Sequence, residues 1–357
     1  MATEKTRRVA IFADNFKVGG IQKSLVNILT SGVLDQCEVD VFLFCEETFF
    51  DISAKRPNVH LHFLKPLPYW YRALPFGLLY LFHKPDPAMT RYSYDVAIDF
   101  DSYQNATALG ALQVKAKKRV MWIHNDMQIK LKEEPKYAFL WWMMRGKYRR
   151  YTDFAAVSQG IVEPFRQASG RSDAPVHVIP NLIDTGEIFR RCQEEPGFRV
   201  DDSKLNIVSM GRLCHQKGYD LMLPDIRKVY DRRKDIAVYI IGDGPDRDKL
   251  RQQTEELGLE KVVHFTGNLP NPFPELRQMD VFCLESRYEG QGMVLWEAKA
   301  LGLRLVFARR LEKYNPSLTG TDDIVEALVT AQKKEKTWDD LADYNQHILD
   351  QLKHLLN

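Results

Sequence analysis

The chain reads as an α/β protein built from two doubly wound parallel-sheet domains, and three observations predict this. Apolar runs of strand length alternate with helix-period segments along almost the whole sequence. Glycine-bearing turns recur where those runs end. At 357 residues the chain is also too long for one ordinary core and suits two.

In the first half the predicted strands span 8–13, 39–44, 94–99, 119–124, 154–157 and 176–180. In the second half they span 205–210, 237–242, 262–267, 280–284 and 303–308. Helix patterns occupy 20–29, 219–232, 246–257 and 293–301, with apolar residues returning at helical spacing. The stretch 338–355 carries Leu341, Tyr344, Ile348, Leu352 and Leu355 at the same spacing, so a long amphipathic helix is expected to end the chain. The domains are therefore drawn as 1–184, 185–335 and a terminal helix, 336–357, packing back toward the first domain. The boundary follows Pro180-Asn181, ahead of a polar stretch.

With 45% hydrophobic and 27% charged residues the composition excludes disordered and fibrous classes. The net charge of +2 hides an asymmetry: residues 1–185 hold 24 Lys and Arg against 19 Asp and Glu, and the remainder 26 against 29. Five cysteines at irregular spacing show neither a metal nor a redox pattern. No apolar run reaches the roughly 18–20 residues of a spanning helix, and no signal peptide precedes the first strand. A cytoplasmic protein is expected.

The chemistry concentrates at strand ends. The run 286–303 places Glu289 before a Gly290-Gln291-Gly292 turn, then Met293 and Val294 at a helix start, and Glu297 inside that helix. Glycines let backbone approach a ligand, and open N–H groups at the helix start attract anions. A diphosphate on those amides, with carboxylates taking sugar hydroxyls on either side, suits a nucleotide-sugar. The same glutamates also suit one capping and one solvated role.

The turn 211–218, with Gly211, Arg212 and Lys217, follows the first strand of the second half. A forked guanidinium and a point ammonium at a strand end are suited to a diphosphate. Two solvated loop cations are the plainer account. Gly242 and Gly244 form another strand-end turn, too short for a dinucleotide fingerprint, and Asn268 with Leu269 form a third that could read a base through the main chain. In the first half Gly19 and Gly20 open a helix after the first strand. His124 ends another strand, placed either to bond a sugar hydroxyl or to satisfy local backbone.

In this order and at these separations the motifs resemble the retaining glycosyltransferases of family 4, whose GT-B fold sets two Rossmann-like domains about a central cleft. The resemblance covers nearly the whole chain and is most specific in the second half. It implies that Arg212 and Lys217 neutralise the departing diphosphate. Glu297 would hold the ribose, Glu289 the transferred sugar, and amides of Gly290 to Val294 the sugar and phosphates. Gly20 and His124 would close over the donor from the other domain. Front-face displacement with retention would need no protein nucleophile, and with two cations on the diphosphate no metal or other cofactor is expected. Uridine is the expected base, on family frequency.

Some positions depart from the family: Gln22 replaces a glutamate, Gln291 an aromatic and Arg304 a proline, and 309–321 is unlike the usual loop. These leave sugar identity and domain closure open. On the acceptor side, 67–82 (including Arg72) and 136–150 mix aromatics with basic residues. Trp141 and Trp142 beside Arg145, Lys147, Arg149 and Arg150 suit either an interfacial helix on an anionic membrane or a buried core helix. The resemblance implies a glycan or lipid-linked acceptor and favours the inner membrane face. No nucleic-acid partner is expected. Two rivals stand beside an active transferase: a silent GT-B subunit that binds nucleotide-sugar, and an epimerase or hydrolase of the same fold.

Overall fold

The computed structural model describes residues 6–17, 19–46, 56–68, 70–71 and 74–357. Arg72 of the first aromatic stretch lies outside the described residues. The chain divides into two compact units, 1–182 with 343–357, and 183–342.

The first unit is a parallel sheet in the order β3-β2-β1-β4-β5-β6-β7. Its strands are β1 (Arg7–Ala13), β2 (Cys37–Leu43), β3 (Val59–Phe63), β4 (Ser93–Asp99), β5 (Lys115–Ile123), β6 (Asp153–Ala156) and β7 (Val176–Val178). Central strands are buried on both faces and read as continuous apolar runs, which is why they were visible in sequence. β3 was not foreseen. It is an edge strand whose His60 and His62 interrupt the apolar run, with His62 against Asp40 at 2.7 Å and stacked on Phe42 at 4.8 Å.

The second unit is a parallel sheet in the order β10-β9-β8-β11-β12: β8 (Leu205–Met210), β9 (Ile236–Ile241), β10 (Val263–Gly267), β11 (Val281–Leu284) and β12 (Arg304–Phe307). Ile207, Val238, Ile240 and Val281 form its core with Met222, Leu223 and Ile226 of the helix Tyr219–Arg232. Chain order reverses at β8, with β9 on one side and β11 on the other. In an open α/β sheet that reversal parts the flanking loops at the C-terminal edge and opens a crevice for ligands.

The last helix, Ala342–Leu356, belongs to the first unit, where it buries Ile348, Leu352, Leu355 and Leu356. Its C-terminal carbonyls accept from cations, Lys118 Nζ to Leu355 O at 2.8 Å and Arg7 to Leu356 O at 3.4 Å, as the helix dipole favours. Near its start Tyr344 donates to Asn181 O at 3.0 Å. The helix is shorter than the periodicity predicts. Trp338 stays outside it, stacked on Phe189 of the second unit at 4.9 Å.

The basic-aromatic segment divides between core and surface. Trp141 is buried, its indole donating to Ala168 O at 3.0 Å, and Lys147 is fully buried. Of the two accounts the sequence left open, Trp141 and Lys147 take the buried one. Phe139, Leu140 and Trp142 are exposed large hydrophobics of the same helix, Pro135–Met144, while Arg145, Arg149 and Arg150 are exposed in the 3-10 turn Arg145–Arg150.

Candidate functional site

The two turns at the strand reversal of the second unit come together. After β8 the chain forms a short 3-10 turn, His215–Lys217, and Gly218 then opens the helix Tyr219–Arg232. Gly218 has φ 66°, and a Cβ there would stand 2.3 Å from Glu285 O, so no other residue fits without moving the loop after β11. Across this contact Lys217 Nζ donates to Glu289 Oε1 at 2.7 Å, with both side chains largely buried at 17% and 6% exposure. Arg212 stands on the same turn, exposed, and makes no side-chain hydrogen bond or ion pair among the described residues.

Glu289 precedes the buried Gly290-Gln291-Gly292 turn, and the helix Met293–Ala300 begins directly after it, with no side chain capping its first amides. Among its first amides Met293 N–H donates to Gln291 O at 3.0 Å and Leu295 N–H to Gly292 O at 2.9 Å, and the positive end of the helix dipole begins four residues beyond Glu289 in the chain. Glu297 is buried inside this helix at 3% exposure. Trp296 donates to Asn315 Oδ1 at 3.0 Å, which ties the helix to the segment after β12.

The turn after β9 serves the same edge by backbone packing. Gly242, with φ 136°, lies so close to Gly211 that a Cβ would meet its carbonyl at 2.1 Å, and its N–H donates to Gly267 O at 2.9 Å. Gly211, Gly242, Gly244 and the end of β10 thus form one backbone ridge, with Asn268 exposed and Leu269 half-buried beyond it.

In the first unit Gly19 precedes and Gly20 opens the helix Gly20–Thr30, again without a side-chain cap. A Cβ on Gly20 would meet nothing within 4 Å, so this helix start is open. His124 follows β5. Its Nε2 lies 2.8 Å from Phe100 O, and since a carbonyl only accepts, Nε2 carries the proton and Nδ1 is an acceptor. Burial pushes the imidazole down to about 3, so it is neutral at physiological pH.

Sequence reasoning passed over two groups. Arg287 and Asp220 form a bidentate pair beside Lys217 and Glu289, at 2.7 Å on both arms. Arg287 sits inside the recognised run, but nothing in sequence marks its partner. Lys147, Asp99 and Asp101 form a buried charged cluster behind β4. There Tyr151 donates to Asp99 Oδ2 at 2.9 Å, burial raises both carboxyls, and burial lowers the ammonium. Asp99 closing the apolar run Val96-Ala97-Ile98 was the available signal.

Among the described residues no helix is long and apolar enough to cross a membrane, and no three His, Cys, Asp or Glu side chains gather as a metal set.

Comparisons with known proteins bear on the family and the fold. The profile of Glycosyltransferase Family 4 matches residues 18–187, and that of Glycosyl transferases group 1 matches residues 193–350. The lipopolysaccharide core biosynthesis glycosyltransferase LpsD of Rhizobium meliloti is 33% identical over 169 residues, 46% of each chain. The phosphatidylinositol N-acetylglucosaminyltransferase GPI3 subunit of Saccharomyces cerevisiae is 33% identical over 135 residues, 37% of this chain and 30% of its own. The chain thus spans about half or less of the length of the curated relatives it matches. Among solved structures, Anabaena HepE in complex with UDP and glucose shares the fold, with a TM-score of 0.66 at 16% identity over 98% of this chain and 94% of that one.

Proposed function

The chain belongs to glycosyltransferase family 4, of GT-B fold, and on that premise we propose that it moves a sugar from a nucleoside diphosphate donor to a glycan or lipid-linked acceptor in cell-surface polysaccharide or glycolipid synthesis. The observation that carries this reading is the Lys217–Glu289 pair at the strand reversal, beside the uncapped start of the helix Met293–Ala300. A cation and a carboxylate in contact, with the positive end of a helix dipole beginning four residues beyond the carboxylate, can grip a diphosphate and a hydroxylated ring together.

In this reading Arg212 and Lys217 take the charge that develops on the departing diphosphate, the exposed guanidinium as a fork and the ammonium as a point charge. Glu289 accepts from hydroxyls of the transferred sugar and Glu297 from the ribose. The bond from the anomeric carbon to the phosphate oxygen breaks as the acceptor oxygen bonds on the same face. The leaving oxygen takes the acceptor's proton, so configuration is retained. Two protein cations carry the charge that a metal would otherwise carry. The expected donor is a UDP-sugar, on the family resemblance.

The acceptor side carries an aromatic-basic surface suited to an anionic membrane. Trp142 and Phe139 stack at 6.4 Å, and Arg150 lies over the Tyr80 ring at 4.3 Å, which joins them to exposed Leu78, Leu81 and Phe82. The names of the relatives, concerned with lipopolysaccharide core and phosphatidylinositol, support a lipid-linked acceptor. Differential scanning with UDP-, GDP- and ADP-sugars tests the donor half of the proposal, because a ligand of the folded state raises the melting temperature. One nucleotide series should stabilise the protein. No response from any of them would remove the reading.

A further inference from the structure

Lys217 and Glu289 stand on segments that cannot place them unaided. Lys217 ends a single 3-10 turn, and 285–292 has neither helix nor strand. Without a ladder of their own, such segments take their geometry from cross-links. Arg310 holds the start of the loop, through Nε to Ser286 O at 2.9 Å and Nη2 to Glu285 O at 2.6 Å, and Arg287 links the loop to the turn that carries Lys217. Arg287 donates through Nη1 to Asp220 Oδ1 and through Nη2 to Asp220 Oδ2, both at 2.7 Å. Its Nη1 also donates to His215 O at 2.8 Å, and its backbone N–H donates to Gln216 O at 2.8 Å. Gln216 answers from the other turn, its Nε2 donating to Tyr288 O at 3.1 Å.

Resting on the proposed donor site, we infer that Arg287 is a positioning residue: its fork on Asp220 and His215 locks the turn that carries Lys217 to the loop that carries Glu289, so that cation and carboxylate form one preset unit. An ordinary surface ion pair would not do this. Arg287 and Asp220 are only 19% and 30% exposed, and Asp220 sits in the first turn of the helix Tyr219–Arg232, a rigid anchor packed in the core of the unit. The fork matters because two parallel N–H···O bonds fix an orientation, which a lysine ammonium cannot do. Glu289 lies two residues beyond Arg287 and Lys217 three before Asp220, so a shift of the clamp reaches both directly.

Trace acetylation of lysines read by mass spectrometry tests this without needing the donor's identity. In the native protein Lys217 should react slowly relative to the exposed Lys234. Arg287→Ala and Asp220→Asn should each raise Lys217 labelling several-fold with Lys234 unchanged, and Arg287→Lys should fall between. If Arg287→Ala unfolds and raises every lysine, Asp220→Asn, which keeps the side-chain shape, decides alone. Unchanged Lys217 labelling in a folded Asp220→Asn variant overturns the positioning role. The donor reading is tested separately: UDP, GDP or ADP should slow Lys217 labelling in the native protein. If none does, that reading fails whatever the clamp variants show.

Discussion

Lys217 Nζ and Glu289 Oε1 lie 2.7 Å apart across the two turns that flank the strand reversal. The residues proposed for the diphosphate and for the sugar therefore hold each other. Because each is the other's partner and they are assigned different parts of the donor, substitutions at the two positions have unlike consequences.

Arg212→Ala removes a cation with no partner among the described residues, so it should reduce transfer on the order of 10²-fold, about 3 kcal/mol, with melting unchanged. Lys217→Ala should reduce transfer comparably and also destabilise, by about 1–3 kcal/mol, because it strands the buried Glu289 carboxylate. Kinetics and melting curves of the two variants side by side check this. Normal turnover in Lys217→Ala would remove it from the diphosphate.

The two glutamates should separate by ligand. Glu297→Ala is expected to weaken binding of bare UDP, because a ribose contact needs no sugar. Glu289→Ala should leave that affinity nearly unchanged and lower turnover. Calorimetry giving the reverse order would exchange the two roles.

Glu285 gives a pH signature. Burial, with Asp225 beside it, pushes its carboxyl up to about 7 from an ordinary value of 4.5. Below pH 4.5 both folded and unfolded chains hold this proton. As pH rises from 4.5 to about 7 the unfolded chain releases it first, so stability falls through that window and the penalty is complete above it. Glu285→Gln should therefore gain on the native protein between pH 5 and pH 7.5. A melting difference that stays constant across that range would mean the carboxyl ionises as freely folded as unfolded.

How far the sequence reveals these features follows from where the information lies. The turns at 211–218 and 286–303 are legible because glycine-bearing segments follow apolar strands, Gly218 being required by its contact with Glu285 O, and both signals are local. Arg287 and Asp220 are 67 residues apart, and their pairing exists only once β8 and β11 are neighbours. Lys147 reads as surface charge because its compensation, Asp99 at the end of β4 and Asp101 just after it, lies nearly fifty residues earlier. Trp338 fits helical spacing yet stacks on Phe189, a tertiary contact that overrides the local pattern.

Activity should survive EDTA. The charge on the leaving diphosphate is assigned to Arg212 and Lys217, and among the described residues no three potential ligands gather to hold a cation. Transfer assays with and without chelator measure it. Loss of activity with EDTA and recovery on adding Mn²⁺ would assign that charge to a metal.

The first unit should bind anionic membranes through the part of its aromatic-basic segment that faces outward. Trp142 and Phe139 are 59% and 66% exposed, and Arg145, Arg149 and Arg150 lie exposed just beyond them, each worth up to about 1 kcal/mol near an anionic surface. Trp141 is a core residue bonded to Ala168 O, so Trp141→Ala should lower stability and is the wrong probe of docking. The informative variant is Phe139→Ala/Trp142→Ala, which leaves the core intact. In liposome sedimentation the native protein should pellet with phosphatidylglycerol vesicles and release with rising salt, because exposed charges are screened. The double variant should bind more weakly at every salt concentration, since apolar insertion is not screened, and the triple Arg145→Gln/Arg149→Gln/Arg150→Gln should lose most of the salt dependence. Equal binding of native protein and double variant would reduce the contact to charge alone. A native protein that stays in the supernatant at low salt would leave the aromatic face to another purpose and make a soluble acceptor the better reading.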